Sequence, residues 1–195
     1  MIQWLAKDLT YALVRVVGYI FLLGFLFVSR DLRFSAVGAL FYVLLSVAVS
    51  FLIVGLKLAE RFPKLNTYHF APTARNNHPQ PSSDEQWAAR KADYLESGLR
   101  GAQIFLTPSE DGLICVPVLL AGINPVTALL GGLAFGLLHL GRYTYLECIG
   151  KAIIYGLACL LILPYGVLTV VAGHFSMDVL SLALVKLAKR KLKAR

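Results

Sequence analysis

Glu110, His139, His174 and Asp178 are ionisable side chains set in stretches otherwise made of Leu, Ala, Gly, Val and Ile. Residues four apart lie one turn from each other on a single helix face, so a helix aligns Phe135 with His139 and His174 with Asp178. An acid at the centre of a bilayer costs about 2.5–3.5 kcal/mol on insertion scales, and such groups are expected to face one another or water. A carboxylate and two imidazoles brought together can take a proton from water and meet the negative charge that develops on an attacked carbonyl. Two other chemistries use the same residue types. Two His and two carboxylates are a permissible zinc set, although neither an HExxH helix nor a CxxC pair is present. Proton or ion transport through these groups requires, in addition, an aqueous path to both membrane faces.

The elements that position these groups are legible in composition. Of 195 residues, 57% are hydrophobic, against about 45–50% in soluble domains, and the mean hydropathy is +0.68. Only helices and closed barrels satisfy every backbone group in lipid, and these apolar runs are too long and continuous for barrel strands. The expected fold is therefore all-α, a polytopic transmembrane helical bundle of about six spans.

A net charge of +8 invites a nucleic-acid reading, but Lys186, Lys189, Arg190, Lys191, Lys193 and Arg195 gather at the end of the chain. That cluster reads as a positive-inside anchor against anionic membrane lipid, with no nucleic-acid partner expected. Cys115, Cys148 and Cys159 fall inside apolar stretches without paired spacing and read as small packing residues. Lys7, Asp8 and Arg15 lead into a full-length apolar span with no small-residue cleavage site, as in a retained first helix.

The chain divides into four parts. Residues 1–57 form an N-terminal transmembrane hairpin, with spans at 11–29 and 35–56 joined by Arg30-Asp31-Leu32-Arg33. Residues 58–102 form a cytoplasmic polar loop followed by an interfacial helix, which begins at the capping pattern Ser83-Asp-Glu-Gln86 and carries Trp87, Tyr94, Leu95 and Leu99. His69 and His78, in that loop, read as solvated. Residues 103–188 form a four-span core carrying the polar site, entering at Gln103 and continuing through 125–140, 147–163 and 167–187. Residues 189–195 are the basic tail. Ala128, Gly132 and Gly136 recur every four residues, a stripe that lets a neighbouring helix approach closely. Six spans with this charge bias place both termini in the cytoplasm, in a plasma or inner membrane.

Phe135-xxx-His139 and His174-xxx-Asp178, preceded by Glu110-Asp111, resemble the pattern of the CPBP family of intramembrane glutamate proteases, which includes CAAX prenyl-protein endopeptidases and bacteriocin-processing enzymes. That pattern is EExxxR, FxxxH and HxxxN or HxxxD on three different helices. Asp111 stands where the second Glu is expected, and Cys115 stands where the Arg is expected, so the support of that Arg is either absent or supplied from elsewhere, with Arg142 or Lys151 as candidates. The resemblance covers the second half of the chain. It implies that Glu110 with His139 activates a water, and that His174 with Asp178 stabilises the oxyanion, without metal or cofactor. Since an ionised Asp178 accepts hydrogen bonds and does not donate them, it is expected to orient His174. The implied substrate is a membrane-associated peptide or protein. The alternative is a catalytically silent scaffold or chaperone subunit that binds another membrane protein through the glycine stripe and the surface helix.

Overall fold

A computed structural model describes residues 2–66, 107–140 and 143–193, and within them the chain is all-α. Its helices are α1 (Ile2–Ser29), α2 (Ala36–Gly55), the single turn α3 (Leu58–Arg61), α4 (Thr107–Ala121), α5 (Pro125–Leu138), α6 (Tyr145–Leu161) and α7 (Val167–Lys193), with a 3-10 turn at Leu163–Tyr165. The interfacial helix expected at 83–99, the re-entry at Gln103, His69, His78 and Arg142 lie outside the described residues. The basic cluster up to Lys193 belongs to α7, which continues without a break past the boundary expected at 188. Among the described residues, α2 is the one helix long and apolar enough to cross a membrane. Leu13–Ser29, Pro125–Leu138 and Val167–Ser181 are apolar but shorter.

Local chemistry sets the helix starts. Ser35 caps α2, its hydroxyl accepting from the Gly38 N–H. Asn124 and Thr127 form a capping box ahead of Pro125, whose missing N–H falls where a first-turn helix donor has no partner. Thr144 caps α6 and forms a second box with Glu147, so the helix opens at Tyr145, two residues before the expected Glu147, whose carboxylate accepts from the Thr144 N–H. At the other boundary α5 stops at Leu138 and His139 becomes its C-cap, where the sequence suggested a helix running to 140.

The chief pairings are α5 with α6, α1 with α4, and α2 with α7, with α4 also against α7. The expected glycine stripe is the α5–α6 seam. A Cβ on Gly132 would stand 2.9 Å from the Gly156 backbone and closer still to the Ala152 carbonyl, and one on Gly136 would stand 2.8 Å from the Cys148 carbonyl. These helices touch backbone to backbone.

Both ends of the bundle are tied. At one, the Arg33 guanidinium grips Asp31 through two bonds of 2.7 Å and donates to the Pro164 carbonyl at 3.2 Å. Gly166, at φ 113°, is pressed against the Arg33 backbone where no Cβ fits. The Ser35 N–H adds a bond to Thr169 Oγ1 at 2.9 Å. At the opposite end, the Leu146 N–H donates to the Leu65 carbonyl at 2.8 Å. The core between them contains Cys115, Tyr155, Ala158, Cys159, Ile162, Val167 and Val170, all without solvent exposure. The outward surface is apolar, with Phe27, Val28, Val37, Phe51 and Leu120 strongly exposed.

Candidate functional site

Three helices bring the four residues singled out by sequence to one region. Glu110 sits in the first turn of α4, His139 at the C-cap of α5, and His174 and Asp178 on successive turns of α7. The Glu110 side chain is 25% exposed and its Oε2 lies 3.7 Å from His139 Nε2. That gap is longer than a direct hydrogen bond and within the range of an ion pair.

The hydrogen bonds fix one proton on each ring. His139 Nδ1 stands 2.8 Å from the Phe135 carbonyl, which can only accept, so Nδ1 carries a proton and Nε2 faces Glu110. The i, i+4 spacing of Phe135 and His139 thus joins a backbone carbonyl to an imidazole, while the two rings lie 4.5 Å apart. His174 is held the same way: its Nδ1 donates at 3.0 Å to Asp111 Oδ1, leaving Nε2 as the free ring nitrogen.

That partner corrects an expectation. The family resemblance, together with the inability of an ionised carboxylate to donate, suggested that Asp178 orients His174. The structure gives this position to Asp111, and Asp178 Oδ2 accepts instead from the Thr107 hydroxyl at 2.6 Å. The physical reason is register. A residue four positions along α7 reaches the same face, whereas a residue on the facing helix α4 reaches the ring edge-on. The Thr107–Asp178 bond then fastens the start of α4 to α7 next to Glu110.

Sequence reasoning missed Tyr155 on α6. Its hydroxyl donates to Asp111 Oδ1 at 2.6 Å and lies 3.2 Å from Cys115 Sγ, and its ring stacks on Phe135 at 3.9 Å with an interplanar angle of 10°. The available signal was a tyrosine in the middle of an apolar helix, a residue that finds a hydrogen-bond partner when buried. His174 lies among aromatic rings, with Tyr42 stacked at 5.8 Å and Phe135 edge-on at 5.4 Å. Lys151 Nζ, expected to compensate for the missing Arg, stands 4.4 Å from the Tyr143 ring centroid and 6.0 Å from that of Phe135. It is a cation over aromatic faces at the margin of the site. Cys115, at the Arg position, is fully buried, and Cys148 and Cys159 are buried free thiols as expected.

Among the described residues, no three His, Cys, Asp or Glu side chains stand close enough to hold one metal ion. A groove of about 390 Å³ runs between α1 and α4, lined by Ile20, Phe21, Phe25, Val28, Val116 and Leu120 among others, and none of the four polar residues reaches it. Compared with known proteins, the chain matches no family model, no curated protein and no solved structure.

Proposed function

We propose that this chain is a six-span helical membrane protein that hydrolyses a membrane-proximal peptide bond without a metal, similar to the CPBP glutamate endopeptidases. The observation that carries the proposal is the meeting of Glu110 with His139 across 3.7 Å, with His174 and Asp178 on the helix that α4 packs against. The membrane setting is supported by α2, whose length and composition suit a span, and by the apolar exposed surface, which lipid would cover.

In this mechanism a water lies between Glu110 Oε2 and His139 Nε2. Glu110 takes one of its protons as the oxygen attacks the carbonyl carbon of the scissile bond, and His139 holds the water by accepting its second hydrogen. The carbonyl oxygen becomes an oxyanion. His174 meets that charge through Nε2 when its ring carries both protons. As the tetrahedral intermediate collapses, the C–N bond breaks and the departing amine takes the proton from Glu110. The products are a carboxylic acid and an amine. Asp178, accepting from Thr107, anchors α4 beside the site and does not act on substrate.

The silent-scaffold alternative draws on position 115, where a fully buried thiol replaces the Arg of the family pattern. Purified protein in detergent, incubated with a library of internally quenched fluorescent peptides, separates the two. A general base contributes about 100- to 10,000-fold, and Glu110→Gln is expected to lower cleavage by a factor in that range. Equal cleavage by wild type and Glu110→Gln, or none by either, refutes the hydrolytic function.

A further inference from the structure

Asp111 combines features that cost stability unless something uses them. It has no solvent exposure, and its Oδ1 accepts two hydrogen bonds, from Tyr155 at 2.6 Å and His174 at 3.0 Å. Its Oδ2 has no hydrogen-bond partner among the described residues. A buried acceptor left unpaired is expensive, more so on a charged group. The carboxylate is also adjacent in sequence to Glu110, so one turn of α4 carries both the group that faces His139 and the group that holds His174.

Tyr155 is the point where these contacts cross. From α6 it bonds Asp111 on α4 and stacks on Phe135 of α5, whose carbonyl fixes His139. Each imidazole is thus pinned through Nδ1, one by a carbonyl and the other by a carboxylate, and Tyr155 touches both holders.

We propose that Asp111 and Tyr155 are positioning residues for His174: the tyrosine hydroxyl steers Asp111 Oδ1 onto His174 Nδ1, which fixes the plane of the ring with one proton on Nδ1 and presents Nε2, which donates when the ring carries a second proton, as the working atom. With the Tyr155 bond removed, the carboxylate can rotate its unpartnered oxygen toward the ring, and the imidazole loses its fixed plane. Neither residue touches the substrate. The kinetic consequence rests on the hydrolytic function proposed above, whereas the state of the ring does not.

The test uses full-length protein in detergent micelles, labelled with ¹⁵N-histidine and held at a pH high enough that the ring carries a single proton, and the His174 signals are identified by their loss in His174→Gln. In wild type they report a proton on Nδ1. Tyr155→Phe keeps the aromatic stack and removes only the hydroxyl, and Asp111→Leu removes the acceptor at similar volume. Both are expected to shift the ring toward a mixture of tautomers, with Asp111→Leu the larger change. On the best-cleaved library peptide, Tyr155→Phe is expected to lower kcat by up to about 100-fold with KM nearly unchanged, the signature of a misplaced group rather than lost binding. A His174 tautomer identical to wild type in Tyr155→Phe overturns the proposal, whether or not Asp111→Leu folds. Full activity in Glu110→Gln defeats the hydrolytic function alone and leaves the tautomer measurement to decide the positioning role.

Discussion

Gly132→Ala is the sharpest test of how the bundle is assembled. An added Cβ would stand 2.9 Å from both Cα and N of Gly156, with the Ala152 carbonyl closer still. Ordinary contact begins at 3.4 Å, so α5 and α6 must part by at least the difference, 0.5 Å, and the obstacles are backbone atoms that cannot rotate away. Overpacking of this kind costs about 1–3 kcal/mol. Replacing Gly by Ala also raises helix propensity by up to about 1 kcal/mol, which acts in the opposite direction. Gly24→Ala isolates that gain, because nothing lies within 4 Å of its added Cβ. The difference between the two variants is the clash alone. For a chain of this length, about 2–4 °C per kcal/mol places Gly132→Ala about 2–12 °C below Gly24→Ala in thermal unfolding in detergent. A Gly132→Ala protein that unfolds at or above the temperature of Gly24→Ala refutes the backbone seam.

Two further outcomes follow from other parts of the fold. Arg33 binds the Pro164 carbonyl, so the hinge at 30–35 and the turn at 163–166 share one end of the bundle. In the membrane-spanning arrangement proposed above, single cysteines in place of Leu32 and Tyr165, in a background lacking the native thiols, are expected to react with an impermeant maleimide from the same side of intact cells or vesicles, and one in place of Lys64 only after permeabilisation or from the opposite side. Labelling of positions 32 and 165 from opposite sides contradicts the fold. At the hinge, hydrogen bonding from the Arg33 side chain holds the Asp31 carboxyl below its ordinary range. A lowered folded-state value stabilises above the unfolded value of about 3.9 and loses that contribution as pH falls through the folded one. The stability deficit of Asp31→Asn is therefore expected to hold from neutral pH down to about 4 and to shrink below it. A deficit already absent at about pH 5 counts against the pair.

Periodicity and polarity alone determined that this chain builds helices, which residues form the α5 seam, and which four ionisable groups deserved notice. Each is a local property: Ala128, Gly132 and Gly136 share a helix face because of the 3.6-residue turn, and Glu110, His139, His174 and Asp178 stand out because their neighbours are apolar. The capping boxes at Asn124 and Thr144 were equally present in the sequence: the first starts α5 at Pro125, where hydropathy also placed it, and the second starts α6 two residues before the expected 147. Hydrogen-bond partners between helices were beyond reach. Whether His174 bonds Asp178, four residues away on its own helix, or Asp111, sixty-three residues earlier, depends on the rotation of α4 against α7. That rotation is set by the summed packing of all the helices, and no local pattern encodes it. Tyr155 could be suspected from its apolar surroundings, but only the packed bundle decided that its hydroxyl meets Asp111 while its ring lies on Phe135. Helix periodicity chose the faces, and the close packing of those faces chose which side chains meet.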